Sequence, residues 1–228
     1  MAYTALKNAL YRLGLDEKSA LELSLFTRGI PQALATALRP HRIQPIPPGS
    51  YLHLGCGGKR LPGFVNVDRY QTPGVDLVID TRQDLPFPDG SVGGIFHEHF
   101  LEHIDITAAN RLLVESFRIL APNARLRFGV PDLGRYLRAY HSGDAAFAAL
   151  VGLDNYRFPA QIINYVFGHA HRFVYDYQSL HHLLAAAGFV EIREAQHHDS
   201  ADPRLNQENG SASRLAETVV VEARKPAG

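Results

Sequence analysis

Short apolar runs and helically spaced apolar positions alternate along most of this chain. Runs typical of buried strands cover 51–54, 64–67, 76–79, 91–96, 124–130, 189–195 and 217–224. Apolar residues three or four positions apart predict helices over 106–120, 132–140, 144–151, 159–167 and 176–187. Such alternation is typical of a mostly parallel sheet covered on both faces. We therefore predict an α/β fold with a doubly wound, seven-stranded sheet and helices on both faces, whose ligands bind at the carboxyl ends of the strands.

The first part of the chain stands apart from this alternation. Residues 1–39 carry apolar residues at helical spacing, and a proline- and glycine-rich linker follows at 45–49. We predict N-terminal helices in a lead-in of residues 1–48 and a main domain at 49–228.

Aromatic residues are concentrated in one insertion of the main domain. Ten of the 22 aromatic residues fall between positions 134 and 177. This predicts a small aromatic-rich cap at about 134–175. The cap could line a small-molecule pocket, with Tyr136 and Tyr165 among the substrate-binding candidates, or form a satellite core or a dimer face.

A glycine turn between two apolar strands carries the strongest functional signal. The strand at 51–54 runs into Gly55-Cys56-Gly57-Gly58, and the next strand ends at Asp68. Glycines let the backbone approach a ligand, and a carboxylate at the next strand end can accept from both ribose hydroxyls. A dinucleotide site places its acidic residue about 20 residues after the glycines, whereas 11 positions separate Gly57 from Asp68. The spacing favours a nucleoside cofactor and disfavours a hydride-transfer enzyme.

These residues and several downstream motifs together resemble one enzyme family. The motifs are Gly55-Cys56-Gly57-Gly58, Asp68, the run from Asp84 to Ser91, Leu101-Glu102-His103 and the run from Phe117 to Pro122. In this order they resemble class I S-adenosylmethionine-dependent methyltransferases, in the branch whose shortened first crossover reads Leu-Pro-Gly-aromatic-x-Asn-x-Asp. The resemblance covers about residues 50–195 and implies a Rossmann-like fold with S-adenosylmethionine as cofactor. The chain departs from the family at 93–94, where Asp is common, and at 123–124, where Gly-Gly is common.

The resemblance implies where the methionine and ribose parts of the cofactor bind. Gly55, Cys56 and Gly57 would line the methionine end, and Asp68 would hold the ribose hydroxyls. His53, in the strand before the turn, is a further cofactor-binding candidate. Read without the resemblance, the glycines are an ordinary tight turn and Cys56 is a small buried residue.

The same resemblance implies contacts for the adenine and the sulfonium. Asp80 would face the adenine edge, with Asp84 as the competing choice. His97 would border the sulfonium and the acceptor. A helix-capping role is the structural alternative for Asp68 and Asp80.

Histidines form the second unusual feature of the sequence. Three of the 12 histidines lie in the segment His97-Glu98-His99-Phe100-Leu101-Glu102-His103. On a helix, His99 and His103 would share a face. An imidazole could act as general base for an acceptor hydroxyl or amine. Two imidazoles with a carboxylate could also bind zinc or a similar ion, and a structural role is the third alternative. The leading interpretation includes no metal ligand.

A second histidine cluster precedes the helix predicted at 176–187. Residues 168–177 read Gly-His-Ala-His-Arg-Phe-Val-Tyr-Asp-Tyr, and the related branch has a His-Arg-Phe-x-Tyr-Asp run here. A loop in this place could close over the acceptor, whereas Asp176 is expected to cap the following helix. The candidate bases are His97, His99, His103 and His171, with His99 and His171 preferred, and the substrate-binding candidates here are His169 and Arg172.

Composition narrows the class of partner. Lys+Arg and Asp+Glu both number 23, so the formal net charge is zero, which disfavours a nucleic-acid-binding surface. The single cysteine fits a reducing compartment, and the sequence predicts neither a signal peptide nor a membrane span. We expect a cytoplasmic enzyme with a small-molecule partner and no membrane partner, and homo-oligomers are compatible with the sequence.

The leading hypothesis is methyl transfer from S-adenosylmethionine to a small molecule, such as a hydroxyl of a sugar or another metabolite. Two alternatives stay open. One is a catalytically silent accessory protein that binds S-adenosylmethionine. The other is a metal-dependent enzyme that uses the His97–His103 cluster.

Overall fold

Seven strands form one sheet in the computed structural model, which describes residues 45–227 of the unit Pro45–Gly228. The helices predicted within residues 1–39 lie outside the described residues, and the predicted boundary after residue 48 stays a prediction. The strands are β1 (Ser50–Leu54), β2 (Phe64–Asp68), β3 (Leu77–Val78), β4 (Val92–Glu98), β5 (Leu120–Pro131), β6 (Val190–Ala195) and β7 (Thr218–Arg224).

Helices connect most of these strands. Short 3-10 helices lie at Leu101–His103 and Pro203–Leu205. The α-helices of the described residues are α1 (Ile106–Ile119), α2 (Leu133–Ser142), α3 (Ala145–Leu150), α4 (Ala160–Gly168), α5 (Tyr177–Ala186) and α6 (Ala212–Glu217).

The strand order is β3-β2-β1-β4-β5-β7-β6. The pairs among β1 to β5 are parallel, and β7 runs antiparallel between β5 and β6. The predicted Rossmann-like, mostly parallel seven-stranded sheet is therefore confirmed. Because the order reverses between β1 and β4, this sheet has a switch point there, where ligands of doubly wound folds bind at the carboxyl ends.

Local backbone geometry explains the two departures from the family pattern. An ideal Cβ at Gly94 would lie 2.4 Å from Cε1 of Tyr51, and one at Gly93 would lie 2.4 Å from the carbonyl oxygen of Gly49. The glycines therefore leave room for Tyr51, whose hydroxyl donates to Asp202. Asn123 has a φ of 65°, a left-handed conformation that asparagine tolerates better than most residues.

Side-chain capping defines the start of α5. The Asp176 carboxylate accepts from the Ser179 backbone N–H at 2.8 Å, and the Asp176 N–H donates to the Ser179 hydroxyl at 3.1 Å. This capping box confirms the capping role predicted for Asp176. At the other end of α5, Gly188 has a φ of 101°, the left-handed conformation that follows many helix ends.

The aromatic-rich insertion folds into α2, α3 and α4 around a core of its own. Tyr136 lies at the centre of this core and meets Phe147 edge-on, with ring centroids 5.1 Å apart. The satellite core expected as one alternative is therefore present. Its buried members are Tyr136, Ala139, Ala148, Val151, Ile162, Val166 and Val174.

The segment 196–216 contains most of α6 and the 3-10 helix Pro203–Leu205. A buried ion cluster holds it to the sheet. Arg127 of β5 donates to Glu208, to the Gln196 carbonyl at 2.7 Å and to Glu222 of β7 at 3.3 Å. All three charged side chains are fully buried. No local sequence pattern indicates this arrangement, because α6 has only six residues and the ion pairs join distant positions.

None of the helices in the described part of the chain is long and apolar enough to cross a membrane.

Replacing Arg127 by methionine tests the importance of the buried ion cluster. We expect Arg127→Met to lower the free energy of unfolding by about 3–5 kcal/mol, because the buried Glu208 would lose its guanidinium partner. Urea unfolding followed by circular dichroism measures this change. The control is Arg60→Met, which removes a half-exposed pair with Asp76 at 3.5 Å and should cost less than about 1 kcal/mol. Equal effects of the two substitutions would contradict the prediction.

Candidate active site

The predicted site residues gather largely where the strands end on one edge of the sheet. The glycine turn follows β1, Asp68 ends β2, and His99 directly follows β4. Thr218 begins the antiparallel β7, so it lies at the same edge. The switch point between β1 and β4 therefore brings the glycine turn close to the chain that leaves β4.

Asp68 organises the glycine turn. Its carboxylate accepts from the Gly57 N–H at 2.8 Å and from the Tyr70 N–H at 2.9 Å. The Cys56 N–H donates to the Val67 carbonyl at 3.1 Å. Since a carboxylate offers about four acceptor positions, Asp68 keeps capacity for ribose hydroxyls while it holds the turn.

The two glycines of the turn have different neighbours. Gly55 has a φ of 62°, and an ideal Cβ there would lie 2.2 Å from the Phe100 ring. Gly57 has a φ of 53°. An ideal Cβ at Gly57 or at Gly58 would have no atom within 4 Å other than those of its chain neighbours. The turn is thus closed towards Phe100 and open at Gly57, next to the Asp68 carboxylate. This open backbone beside a carboxylate fits a nucleoside cofactor.

The two adenine candidates differ in their surroundings. Arg82 donates to Asp80 through Nε at 2.8 Å and Nη2 at 2.6 Å, and these bonds lower the pKa of Asp80. Asp80 also lines an open cleft of about 610 Å³ with Asp105 and Thr107. Asp84 is exposed and pairs with Arg111 at 3.0 Å. Of the two, only Asp80 lines this cleft.

Three predicted residues lie in the interior. His53 contacts the Asn66 side chain through Nδ1 at 3.1 Å, and burial lowers the pKa of His53 to about 4. His97 stacks on Phe128 with ring centroids 4.6 Å apart, and burial lowers its pKa to about 3. Burial raises the pKa of Cys56 to about 11, so this thiol is not an activated nucleophile. The two histidines are therefore neutral at physiological pH.

Hydrogen bonds to two neighbouring side chains determine the tautomer of His99. Arg214 can only donate, so Nδ1 of His99 accepts from its Nη1. The ring proton then belongs on Nε2, which lies 2.7 Å from the Thr218 hydroxyl, an assignment made from the hydrogen-bond network. Burial lowers the pKa of His99 to about 2. Both ring nitrogens of this candidate base are therefore occupied.

Glu102 is the most unusual charged side chain of the site. It has no exposed surface, and neither carboxylate oxygen makes a hydrogen bond. His99 Nδ1 lies 3.4 Å from its Oε1 but carries no proton to donate. Burial raises the pKa of Glu102 to about 8. An unpaired buried carboxyl is costly, and it marks a place where a further ligand or proton is expected.

Histidines from both predicted clusters surround this carboxyl. Glu102, His103 and His171 each place a possible ligand atom within 4.8 Å of the other two. The His103 and His171 rings meet edge-on, with centroids 4.9 Å apart. Burial lowers the pKa of His171 to about 4, and its Nδ1 makes no hydrogen bond. The Tyr175 hydroxyl is also buried without a hydrogen bond. We call Glu102, His103 and His171 the acceptor cluster.

The substrate-binding candidates lie around this cluster in different ways. The Tyr136 hydroxyl donates to Glu217, which Arg214 also contacts at 3.0 Å. Tyr136 is itself buried in the cap core. His169 lies 2.8 Å from the Tyr165 carbonyl through Nδ1, and its ring centroid is 5.9 Å from that of His171.

Arg172 contacts the cluster through its backbone. Its N–H donates to the Glu102 carbonyl at 2.7 Å, and the Phe173 N–H lies 3.3 Å from the same oxygen. The Arg172 residue is otherwise exposed. These bonds hold the second histidine segment against the 3-10 helix Leu101–His103.

Sequence reasoning missed several members of the polar network. Arg214 lies in α6, which the sequence pattern does not predict, and Glu217 and Thr218 begin the strand predicted at 217–224. The local signal was an arginine and a glutamate three positions apart, directly before an apolar strand. Glu102 belongs to the Leu101-Glu102-His103 motif, but nothing in the sequence shows that its carboxylate oxygens are unpaired.

Comparisons with known proteins agree with this geometry. Residues 61–128 match the model of a family described as a methyltransferase domain. None of the curated proteins matches the chain. The structure of a SAM-dependent methyltransferase from Archaeoglobus fulgidus is 16% identical, has a TM-score of 0.50, and aligns over 77% of this chain and 86% of its own.

Two further solved structures have lower TM-scores. A possible histamine N-methyltransferase from Thermotoga maritima is 21% identical, with a TM-score of 0.47 over 79% of this chain and 84% of its own. Phosphoethanolamine N-methyltransferase 2 from Haemonchus contortus, in complex with S-adenosyl-L-methionine, is 15% identical, with a TM-score of 0.49 over 87% of this chain and 53% of its own.

The strand order, the open glycine turn beside Asp68 and the family match all point to the same class of protein. Residues 61–128 thus match a methyltransferase domain, and the described residues share the fold of a solved SAM-dependent methyltransferase.

Proposed function

We propose that this enzyme methylates a hydroxyl group of a small molecule, such as a sugar or another hydroxylated metabolite. The acceptor cluster is the observation that carries this proposal. It joins a buried carboxyl without hydrogen bonds to two imidazoles, at the sheet edge that carries the glycine turn. A hydroxyl must lose its proton when it is methylated, and groups of this kind can accept one.

The cofactor binds at the glycine turn in this proposal. When bound, S-adenosylmethionine supplies a methyl group on a sulfonium, which is a good leaving group. Gly57 provides open backbone, and Asp68 accepts from the ribose hydroxyls. His97 stays neutral because it is buried, so it adds no positive charge near the sulfonium. Asp80 is favoured over Asp84 for the adenine side, because Asp80 lines the open cleft.

The remaining task of the protein is to orient the acceptor and remove its proton. Of the two preferred bases, His171 suits this role better than His99. His171 has an unbonded Nδ1 and is partly accessible, whereas Arg214 and Thr218 occupy both nitrogens of His99. His99 then acts by holding the chain after β4 in place. Alignment and exclusion of water supply most of the rate enhancement.

The substrate and the partners follow from the same features. The segment 169–172 borders the cluster and would contact the acceptor through His169 and Arg172. Tyr136 and Tyr165 would support this segment from the cap core. A net charge of zero favours a small metabolite over a nucleic acid. We also propose a cytoplasmic location, in keeping with the single cysteine.

Replacing Asp68 tests the cofactor site. We expect Asp68→Ala to weaken binding of S-adenosylhomocysteine by about 10- to 100-fold, because charge-assisted hydrogen bonds to the ribose and to the turn are both lost. Isothermal titration calorimetry measures the dissociation constant. Asp154→Ala, at an exposed position in the cap segment, is the matched control and should bind like the wild type. Unchanged binding by a folded Asp68→Ala protein would contradict the assignment.

A second prediction concerns the acceptor cluster. Release of S-adenosylhomocysteine, followed over a panel of sugars and other hydroxylated metabolites, identifies an acceptor. With that acceptor at saturation, we expect His171→Ala to lower kcat by about 10²- to 10⁴-fold without changing cofactor binding. His182→Ala, on the exposed face of α5, should keep the wild-type rate.

Two results would count against this proposal. Full turnover by both His171→Ala and His99→Ala would exclude the two preferred bases. Tight cofactor binding without product from any acceptor would favour the alternative of a catalytically silent accessory protein.

A further inference from the structure

Glu102, His103 and His171 form a convergent set of metal-ligand side chains. One carboxylate and two imidazoles from two separate segments place their ligand atoms within 4.8 Å of one another. A tetrahedral zinc ion with bonds of 2.0–2.1 Å separates its ligands by about 3.3 Å. Side-chain movements that shorten these separations by up to about 1.5 Å would therefore bring the three groups to one ion.

The Glu102 carboxylate supplies an independent reason to expect a cation. It is fully buried, and neither oxygen has a hydrogen-bond donor. The neighbouring His99 cannot donate from Nδ1, because that nitrogen accepts from Arg214. Arg214 instead contacts His99 and Glu217. A buried carboxylate is stable only when it is paired, bonded to a metal or protonated.

The backbone holds the two ligand-bearing segments together. The Glu102 carbonyl accepts from the N–H groups of Arg172 and Phe173 at 2.7 and 3.3 Å. Glu102 and His103 thus lie opposite His171 before any ligand binds. Such preorganisation lowers the cost of assembling a metal site.

We infer that Glu102, His103 and His171 bind one divalent transition-metal ion of the zinc class. Two imidazoles and one carboxylate are a ligand set that such ions favour. Three protein ligands leave a fourth position open, as in catalytic rather than structural zinc sites. His103 is exposed and His171 is partly exposed, so this position can be reached from solvent.

The open position also gives the ion a chemical role, which rests on the proposed function. A bound metal ion lowers the pKa of a coordinated hydroxyl. The acceptor oxygen would then lose its proton to water, and His171 would serve as a ligand rather than as the proton acceptor. Its replacement lowers turnover in either role, so metal binding must be measured directly.

Metal titration of the full chain tests this inference. Protein without a histidine tag is treated with EDTA, dialysed and titrated with CoCl₂ and ZnCl₂. Visible absorption reports four-coordinate cobalt, and calorimetry gives the zinc dissociation constant. We expect one ion per chain, with affinity reduced about tenfold or more in Glu102→Gln and in His171→Ala. His182→Ala should bind both metals like the wild type.

Cofactor titration of the same variants separates loss of the site from loss of the fold. Wild-type binding of S-adenosylhomocysteine by His171→Ala, with weakened zinc binding, would support the inference. Absence of stoichiometric metal binding by the wild type, or unchanged binding in both variants, would overturn it. Metal binding needs neither cofactor nor acceptor. A chain that binds zinc through these residues but methylates no hydroxyl would therefore disprove only the proposed function.

Discussion

The close contact between Gly55 and the Phe100 ring determines how the two halves of this site meet. Any side chain at position 55 would place its Cβ within 2.2 Å of that ring. Only glycine therefore lets the turn after β1 pack against the chain that leaves β4. Phe100 directly precedes the 3-10 helix that carries Glu102 and His103. This contact between Gly55 and the Phe100 ring thus brings the glycine turn next to the acceptor cluster.

Among the described residues, the carboxyl groups around Glu102 outnumber the positive charges that contact them at this edge of the sheet. Arg214 contacts His99 and Glu217, while burial lowers the pKa of His99 and of His171 and keeps both rings neutral. The Arg214 guanidinium therefore interacts electrostatically with two carboxyl groups, those of Glu102 and Glu217. The elevated pKa of Glu102 follows directly from burial without a partner. A site of this kind favours an added positive charge or a proton, and enzymes often use such imbalance at their reactive centres.

The elements with local signals could be predicted from the sequence. Alternating apolar segments indicated all seven strands, and the short spacing from Gly57 to Asp68 indicated the class of cofactor. Asp176 and Ser179 lie three positions apart, so their capping box was visible as well. By contrast, the bond between His99 and Thr218 joins residues 119 positions apart, and that between Arg127 and Glu208 spans 81 positions. Periodicity and spacing carry no information about such contacts, because the folded sheet creates them.

The aromatic-rich cap is another region whose contacts could not be predicted from the sequence, and it is connected to the site by hydrogen bonds. Its composition suited both a pocket and a core, and the structure packs Tyr136 into a core beside Phe147. The Tyr136 hydroxyl nevertheless leaves that core and donates to Glu217. Glu217 contacts Arg214, which in turn contacts His99. A continuous hydrogen-bonded path therefore runs from the interior of the cap to the segment after β4. Because each member is at least partly buried, the cap and the segment after β4 depend on each other to satisfy these polar groups.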